Sequence, residues 1–285
     1  RHGKSELVSR LFSAYYLYRH PDRFVGVNSY AADLAYTFSR SARDNYQRGG
    51  RKLRDDAAAV KHWMTDQDGG LWAAGVGGPI TGKGFHLGII DDPLKNAEEA
   101  QSETIRAKQK EWYESTFYTR EEAGNDTAIV IVQTRWHEDD LSGYLLGKEA
   151  DEPEHWTIVN LPAIAEDDPP TFPASCDVVD DWRKAGDPLC PERYPLKRLL
   201  NIASRIGQYF WSSLFQQRPN TPAGNFFNRA WFTIEPLLPY QCSLVRYWDL
   251  ASSDSLAADA TCGVLMARDP SGYYYVVDVV HGRWT

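Results

Sequence analysis

Gly88-Ile89-Ile90-Asp91-Asp92-Pro93 is the stretch that decides the fold. A short apolar run ends in two adjacent carboxylates and is stopped by proline. The residue before a proline is biased toward extended backbone, so the run predicts a buried strand over 86–90 that delivers two acids to a sheet edge. In a phosphate-handling fold the first acid, Asp91, holds Mg²⁺ and the second, Asp92, polarises water. The start of the chain, Arg1-His2-Gly3-Lys4-Ser5, supplies the complement. Gly-Lys-Ser ends the pattern G-x-x-x-x-G-K-[ST], whose backbone amides cradle phosphates at a helix N-terminus. Lys4 then reaches the β- and γ-phosphates, and Ser5 ligates Mg²⁺. Only the second half of the pattern is present, and the tripeptide alone has little specificity. Its weight comes from opening a helix upstream of the strand with two acids. Arg1 beside it is a candidate arginine finger.

Working outward, residues 5–19 read as a helix, with Leu7, Leu11, Ala14, Tyr15 and Tyr18 at helical spacing. Residues 24–27 read as a buried strand, and Ser29 as the cap of a second helix over 31–44. A strand ahead of Arg1 would complete a βαβ unit. Residues 45–60 are polar and read as a surface segment. Residues 62–65 and 71–76 flank Asp66-Gln67-Asp68-Gly69-Gly70 as a hairpin. A long helix is expected over 96–118, a clean apolar strand over 128–132, a helix from Asp139-Asp140-Leu141 and a fifth strand over 156–161. Residues 165–192 have no periodicity, and 195–215 are helical. Gln217-Arg218-Pro219-Asn220-Thr221-Pro222-Ala223-Gly224 is the best linker in the chain. Strands follow over 244–250, 261–267 and 273–280, the last two joined by a turn at 268–272. The fold class is therefore α/β: a parallel sheet flanked by helices, then the start of a second domain.

The chain has 285 residues, 42% hydrophobic and 25% charged, which is ordinary for a globular protein. No apolar run approaches the roughly 20 residues of a membrane span, and no signal peptide is visible. A formal net charge of −8 gives no positive argument for nucleic acid, though a local basic groove is compatible with it. The four cysteines form no C-x₂-C pair, which argues against zinc and fits a reduced cytosolic setting. Both ends look cut, as in an internal fragment.

Thr134 and Arg135 follow the strand over 128–132. Ligands bind at the C-terminal ends of parallel strands, so Thr134 is placed to sense the γ-phosphate or the attacking water, and Arg135 to couple that to motion. His137-Glu138-Asp139-Asp140 has the composition of a metal cluster, but adjacent helix residues do not share a face, so helix capping is the better role. Asp249 lies at the end of the strand over 244–250.

Several of these stretches occur in one order in a known family. Arg1-His2-Gly3-Lys4-Ser5-Glu6, Thr81-Gly82-Lys83-Gly84, Ile89-Ile90-Asp91-Asp92-Pro93, Thr134-Arg135-Trp136-His137-Glu138-Asp139-Asp140-Leu141 and Tyr247-Trp248-Asp249-Leu250-Ala251 resemble the motifs of large terminase subunits, the DNA-packaging motors of tailed bacteriophages and prophages. The resemblance spans essentially the whole chain. It implies a P-loop ATPase domain over 1–216, a linker over 217–240, and the first strands of a ribonuclease-H-like nuclease over 241–285. It implies that Gly3, Lys4, Ser5 and Glu6 bind ATP, that Ser5 and Asp91 hold Mg²⁺, and that Asp91 and Asp92 are the Walker B and catalytic carboxylates. Thr134 and Arg135 then lie in the coupling motif, and Arg1 matches an arginine that members carry in the loop. Asp92 departs from the commoner glutamate.

In the second domain the resemblance makes Asp249 the first nuclease acid. Two-metal cleavage, with Mg²⁺ or Mn²⁺, needs several carboxylates. Asp278, in a buried-looking run, is the candidate partner, with Asp254 and Asp259 as loop alternatives. At least two further acids are expected beyond Thr285, so 1–285 is expected to hydrolyse ATP weakly at best and not to cut DNA. The implied partners are double-stranded DNA, the portal protein and the small terminase subunit. The implied setting is a homo-oligomeric ring on a procapsid in the host bacterial cytoplasm, with no membrane. Two other readings stay open: another P-loop helicase or translocase, and a non-catalytic nucleotide- or DNA-binding module.

Overall fold

The computed structural model describes residues 2–122, 127–219, 232–250 and 261–282. The chain divides into two compact units, Arg1–Gly224 and Asn225–Thr285. Arg1, Asp254 and Asp259 lie outside the described residues.

In the first unit residues 4–19 are helical. Wide π-type turns over Glu6–Phe12 run into α1, Ser13–Arg19. Then come β1 (Phe24–Ser29), α2 (Ala32–Arg48), β2 (Leu53–Ala59), β3 (His62–Thr65), β4 (Gly70–Gly75) and β5 (Leu87–Asp91). They are followed by α3 (Ala97–Gln101), α4 (Glu103–Trp112), β6 (Ala128–Val132), α5 (Leu141–Lys148) and α6 (Leu196–Leu214). The main sheet runs β2-β3-β4-β1-β5-β6. The four strands β4, β1, β5 and β6 are parallel, and β3 pairs antiparallel with β4.

Period-two alternation sorts the core into two layers. Val25, Val27, Leu87 and Ile89 face Ala14, Leu17, Ala35 and Phe38 of the N-terminal helix and α2. Ile90 and Ala74 face Trp112, Leu141 and Leu145 of α4 and α5. Gly26 is required here, because a Cβ would come 2.4 Å from the Trp72 indole. Asp91 follows Ile89 by two and so faces the N-terminal helix. The register sets Ser29, Asp91 and Val132 abreast at the C-terminal ends of β1, β5 and β6.

Several expectations are corrected. The polar stretch 45–60 is the end of α2 followed by strand β2, whose hairpin partner is β3; its tertiary pairing overrides a sequence that looks like loop. Ser29 does not cap α2: it is the last, buried residue of β1, and α2 begins after Ala31 with no side-chain cap. The helix expected over 96–118 breaks at Ser102, because Asn96 and Ser102 each cap a separate piece, caps typically worth about 1 kcal/mol. The strand expected over 156–161 shrinks to β7 (Thr157–Ile158), paired only with β8 (Asp177–Val178). Leu7, Leu11, Tyr15 and Tyr18, four of the five residues that marked the first helix, are its exposed side; Ser9, Ser13, Ala14 and Leu17 are the buried one. No helix among the described residues is long and apolar enough to cross a membrane.

In the second unit, β9 (Ser243–Asp249), β10 (Thr261–Arg268) and β11 (Tyr274–Gly282) form an antiparallel sheet in the order β11-β10-β9. Gly272, at φ 93°, closes the β10–β11 turn as expected.

Candidate active site

Asp91 is the centre of the site and is fully buried. The Ser5 hydroxyl donates to its Oδ1 at 3.0 Å, and the Ser9 hydroxyl donates to Oδ2. Lys4 Nζ donates to the carbonyl of Gln133, just past β6, at 2.6 Å. The N-terminal helix thus lays its first turn across the ends of β5 and β6. Gly3 precedes it at φ 96°, a conformation that favours glycine. His2 lies against Tyr194, ring centroids 4.9 Å apart, and burial above all holds its imidazole down to about 4.

Burial pushes the Asp91 carboxyl up to about 6, against the bonds from Ser9 and Ser5; the Asp92 charge adds to the rise and Lys4 opposes it. A buried carboxylate beside a serine hydroxyl is a pair of hard oxygen donors. That donor set fits Mg²⁺, which binds through one or two protein oxygens plus phosphates and waters. Among the described residues no cluster of three His, Cys, Asp or Glu could hold a metal.

Asp92 turns the chain. Its φ of 44° is unusual for a non-glycine residue. Its backbone is held at both ends: N–H to Val132 O at 2.7 Å, and O from Tyr30 N–H at 3.2 Å. Its Oδ1 accepts the Thr134 N–H at 2.8 Å. Thr134 is thereby brought into the site through its backbone. Arg135 is directed elsewhere: its Nε lies 2.9 Å from both oxygens of Asp140. Asp140 in turn caps α5 by accepting Gly143 N–H at 3.0 Å, so the capping role expected for the acidic run holds. Asp139 pairs with Lys110 at 2.6 Å. Glu6 turns outward to Arg10 at 2.9 Å and is not directed at Asp91.

The family model described as "Terminase large subunit, T4likevirus-type, N-terminal" matches residues 1–234. The chain belongs to the large terminase family. Among solved structures, the large terminase from the thermophilic bacteriophage D6E aligns at 8% identity and a TM-score of 0.42, over 96% of this chain and 59% of that one. The same terminase in complex with ATP-gamma-S aligns at 9% identity and a TM-score of 0.46, over 99% of this chain and 60% of that one. The chain therefore spans about 60% of the length of the terminase structures it matches. No curated protein matches it.

Of the candidate acids in the second unit of this terminase chain, the two among the described residues, Asp249 and Asp278, do not come together. Asp249 pairs with Cys262 across β10, whereas Asp278 pairs with Leu265, which is opposite Arg246. An offset of three residues puts Asp249 and Asp278 on opposite faces of the sheet. Asp278 is exposed rather than buried and is ion-paired with Arg246. The expectation that Asp278 joins Asp249 at a metal is corrected on that ground.

Two residues of the first site escaped the sequence reading. Ser9 is one helical turn from Ser5, and that i, i+4 spacing was the available signal. Gln133 acts through its backbone carbonyl, for which a sequence carries no signal.

Proposed function

We propose that this chain carries the ATPase of a DNA-packaging motor, which hydrolyses Mg-ATP at the Lys4–Ser5–Asp91 site to translocate double-stranded DNA into a procapsid. The observation that carries the reading is the Ser5–Asp91 hydrogen bond: it unites a phosphate-loop serine with a buried strand-end carboxylate in a member of the large terminase family.

The residues divide the work as follows. The left-handed turn at Gly3 aims the amides of the helix start at the phosphates, where the positive end of the helix dipole favours anions. Lys4 leaves the Gln133 carbonyl for the β- and γ-phosphates. Ser5 and Asp91 would hold Mg²⁺, which would neutralise the negative charge of the phosphates. Asp92, braced by the Thr134 amide, orients and deprotonates the attacking water. The Asp92–Thr134 bond passes a change at the phosphate to the end of β6, and the Arg135–Asp140 pair carries it to α5. Arg1 adds charge stabilisation at the γ-phosphate. Asp249 is the first acid of a ribonuclease-H-like nuclease that cuts concatemeric DNA. The motor works as a homo-oligomeric ring on the portal, with the small terminase subunit, in the host bacterial cytoplasm.

Asp92→Asn tests the central step. It is expected to abolish phosphate release from ATP and to leave nucleotide binding intact. Near-normal release would move the water-activating role to another residue.

A further inference from the structure

The Asp91 carboxylate is held by two hydroxyls, and only one belongs to the phosphate loop. Ser9 is fully buried. Its Oγ donates to Asp91 Oδ2, while Ser5 Oγ donates to Oδ1 at 3.0 Å. Ser9 is itself tied down, because its carbonyl accepts the hydroxyl of buried Ser13 at 3.0 Å. Around these serines the layer is apolar: Ala14, Leu17 and Phe38 fill it. A buried hydroxyl is costly unless it is hydrogen-bonded, and Asp91 is the acceptor that satisfies the Ser9 hydroxyl.

The neighbouring strand offers a contrast. Ser29 stands directly across the β1–β5 ladder from Asp91 and on the same face. It is equally buried, yet its Oγ has no partner among the described residues. The carboxylate is therefore gripped from the helix and not from the sheet. One anchor fixes an oxygen; two anchors, one on each oxygen, fix the plane of the group.

We propose that Ser9 is a positioning residue for the divalent cation: by anchoring Asp91 Oδ2 it fixes the carboxylate plane and turns the Oδ1 side, shared with Ser5, toward the ion. This rests on the nucleotide-site reading above. Partners that orient a metal ligand typically contribute ~10–100-fold in metal affinity.

The test is Mn²⁺ binding, followed by electron paramagnetic resonance in the presence of ADP, with ADP binding in EDTA measured separately. Ser9→Ala is expected to weaken Mn²⁺ by ~10–100-fold and to leave ADP binding in EDTA unchanged. It should raise the Mg²⁺ concentration needed for half-maximal turnover far more than it lowers kcat at saturating Mg²⁺. Ser9→Thr, which keeps the hydroxyl, should restore Mn²⁺ binding to within about threefold of wild type. Ser29→Ala should leave it unchanged. Should Ser9→Ala fail to fold, Ser9→Cys, close in size but a weak donor, must show the same loss. Wild-type Mn²⁺ affinity in Ser9→Ala or Ser9→Cys, with the ion lost in Ser5→Ala and Asp91→Asn, overturns the role of Ser9 alone. Wild-type affinity in all of these variants overturns the nucleotide-site reading along with it.

Discussion

Asp91 and Asp249 occupy similar places in their strands: each is the last residue of an apolar run in a sheet. Their surroundings differ in every other respect. Asp91 is sealed from solvent, gripped by Ser5 and Ser9, and has Lys4 near by. Asp249 is exposed, opposite Cys262, with Asp278 on the other face of the sheet. The apolar residues of β9 are open as well, with Leu244, Val245 and Tyr247 all more than half exposed. A strand-end acid is sealed from solvent when another element closes over it. In the first unit the N-terminal helix does this, and its buried side is a row of serines and small apolar residues.

The contrast can be broken in several ways. The largest effect is expected at the clasped acid. Asp91→Ala and Lys4→Ala should each lower ATP turnover by roughly a hundredfold or more, the usual cost of removing a group that stabilises transition-state charge. Asp249→Ala should leave ATP turnover unchanged. Equal losses in steady-state phosphate release would erase the distinction between the two units.

Next comes the support behind the site. Asp140 is buried, caps α5 and pairs with Arg135. Asp140→Ala removes the cap and strands a guanidinium, which should cost about 3–5 kcal/mol in urea unfolding. A loss below ~1 kcal/mol would reduce the pair to a surface contact.

The buried carboxylate itself carries a pH signature. With the folded-state value up at about 6 against 3.8 unfolded, the native state binds the extra proton between those values. Stability therefore falls as pH rises through that window. Without metal or nucleotide, Asp91→Asn should be more stable than wild type at pH 7 by about 3 kcal/mol. That gain should shrink below pH 6 and vanish below about pH 4. A pH-independent difference, read from thermal melts, would mean that Asp91 is not desolvated. Bound Mg²⁺ should reverse the ranking, since a cation favours the carboxylate.

The smallest effect is expected in the second unit. Asp278→Ala breaks an exposed pair with Arg246 and should cost less than about 1 kcal/mol. A larger loss would show that this sheet is closed by something that Asp278 helps to hold.

The strands β1, β5 and β6 were legible because each is a short apolar run with a sharp end, and their parallel order followed from the helices between them. Lys4, Ser5 and Asp91 could be singled out because Gly-Lys-Ser and a strand-end acid are local patterns, and the structure brings Ser5 and Asp91 together. β2 was not, because Leu53-Arg54-Asp55-Asp56-Ala57 is a strand only by pairing with β3. The buried side of the first helix was also hidden. Large apolar residues at helical spacing drew attention to the side that faces solvent, while the side toward Asp91 is carried by serines. Asp278 misled because Val276, Val277, Val279 and Val280 look like a core strand, whereas this strand is largely exposed. For the first helix the deciding contact, Ser9 to Asp91, lies far along the chain.

The most direct test of the account is calorimetric titration of ATP-γ-S, with Mg²⁺ present, into the wild-type chain and into Lys4→Ala. The account predicts saturable one-site binding by the wild type, lost or weakened at least tenfold in Lys4→Ala, for a missing charge-assisted contact of about 1.5–3 kcal/mol. Equal binding by both proteins would contradict it, because the phosphates would then lie somewhere other than at the end of β5.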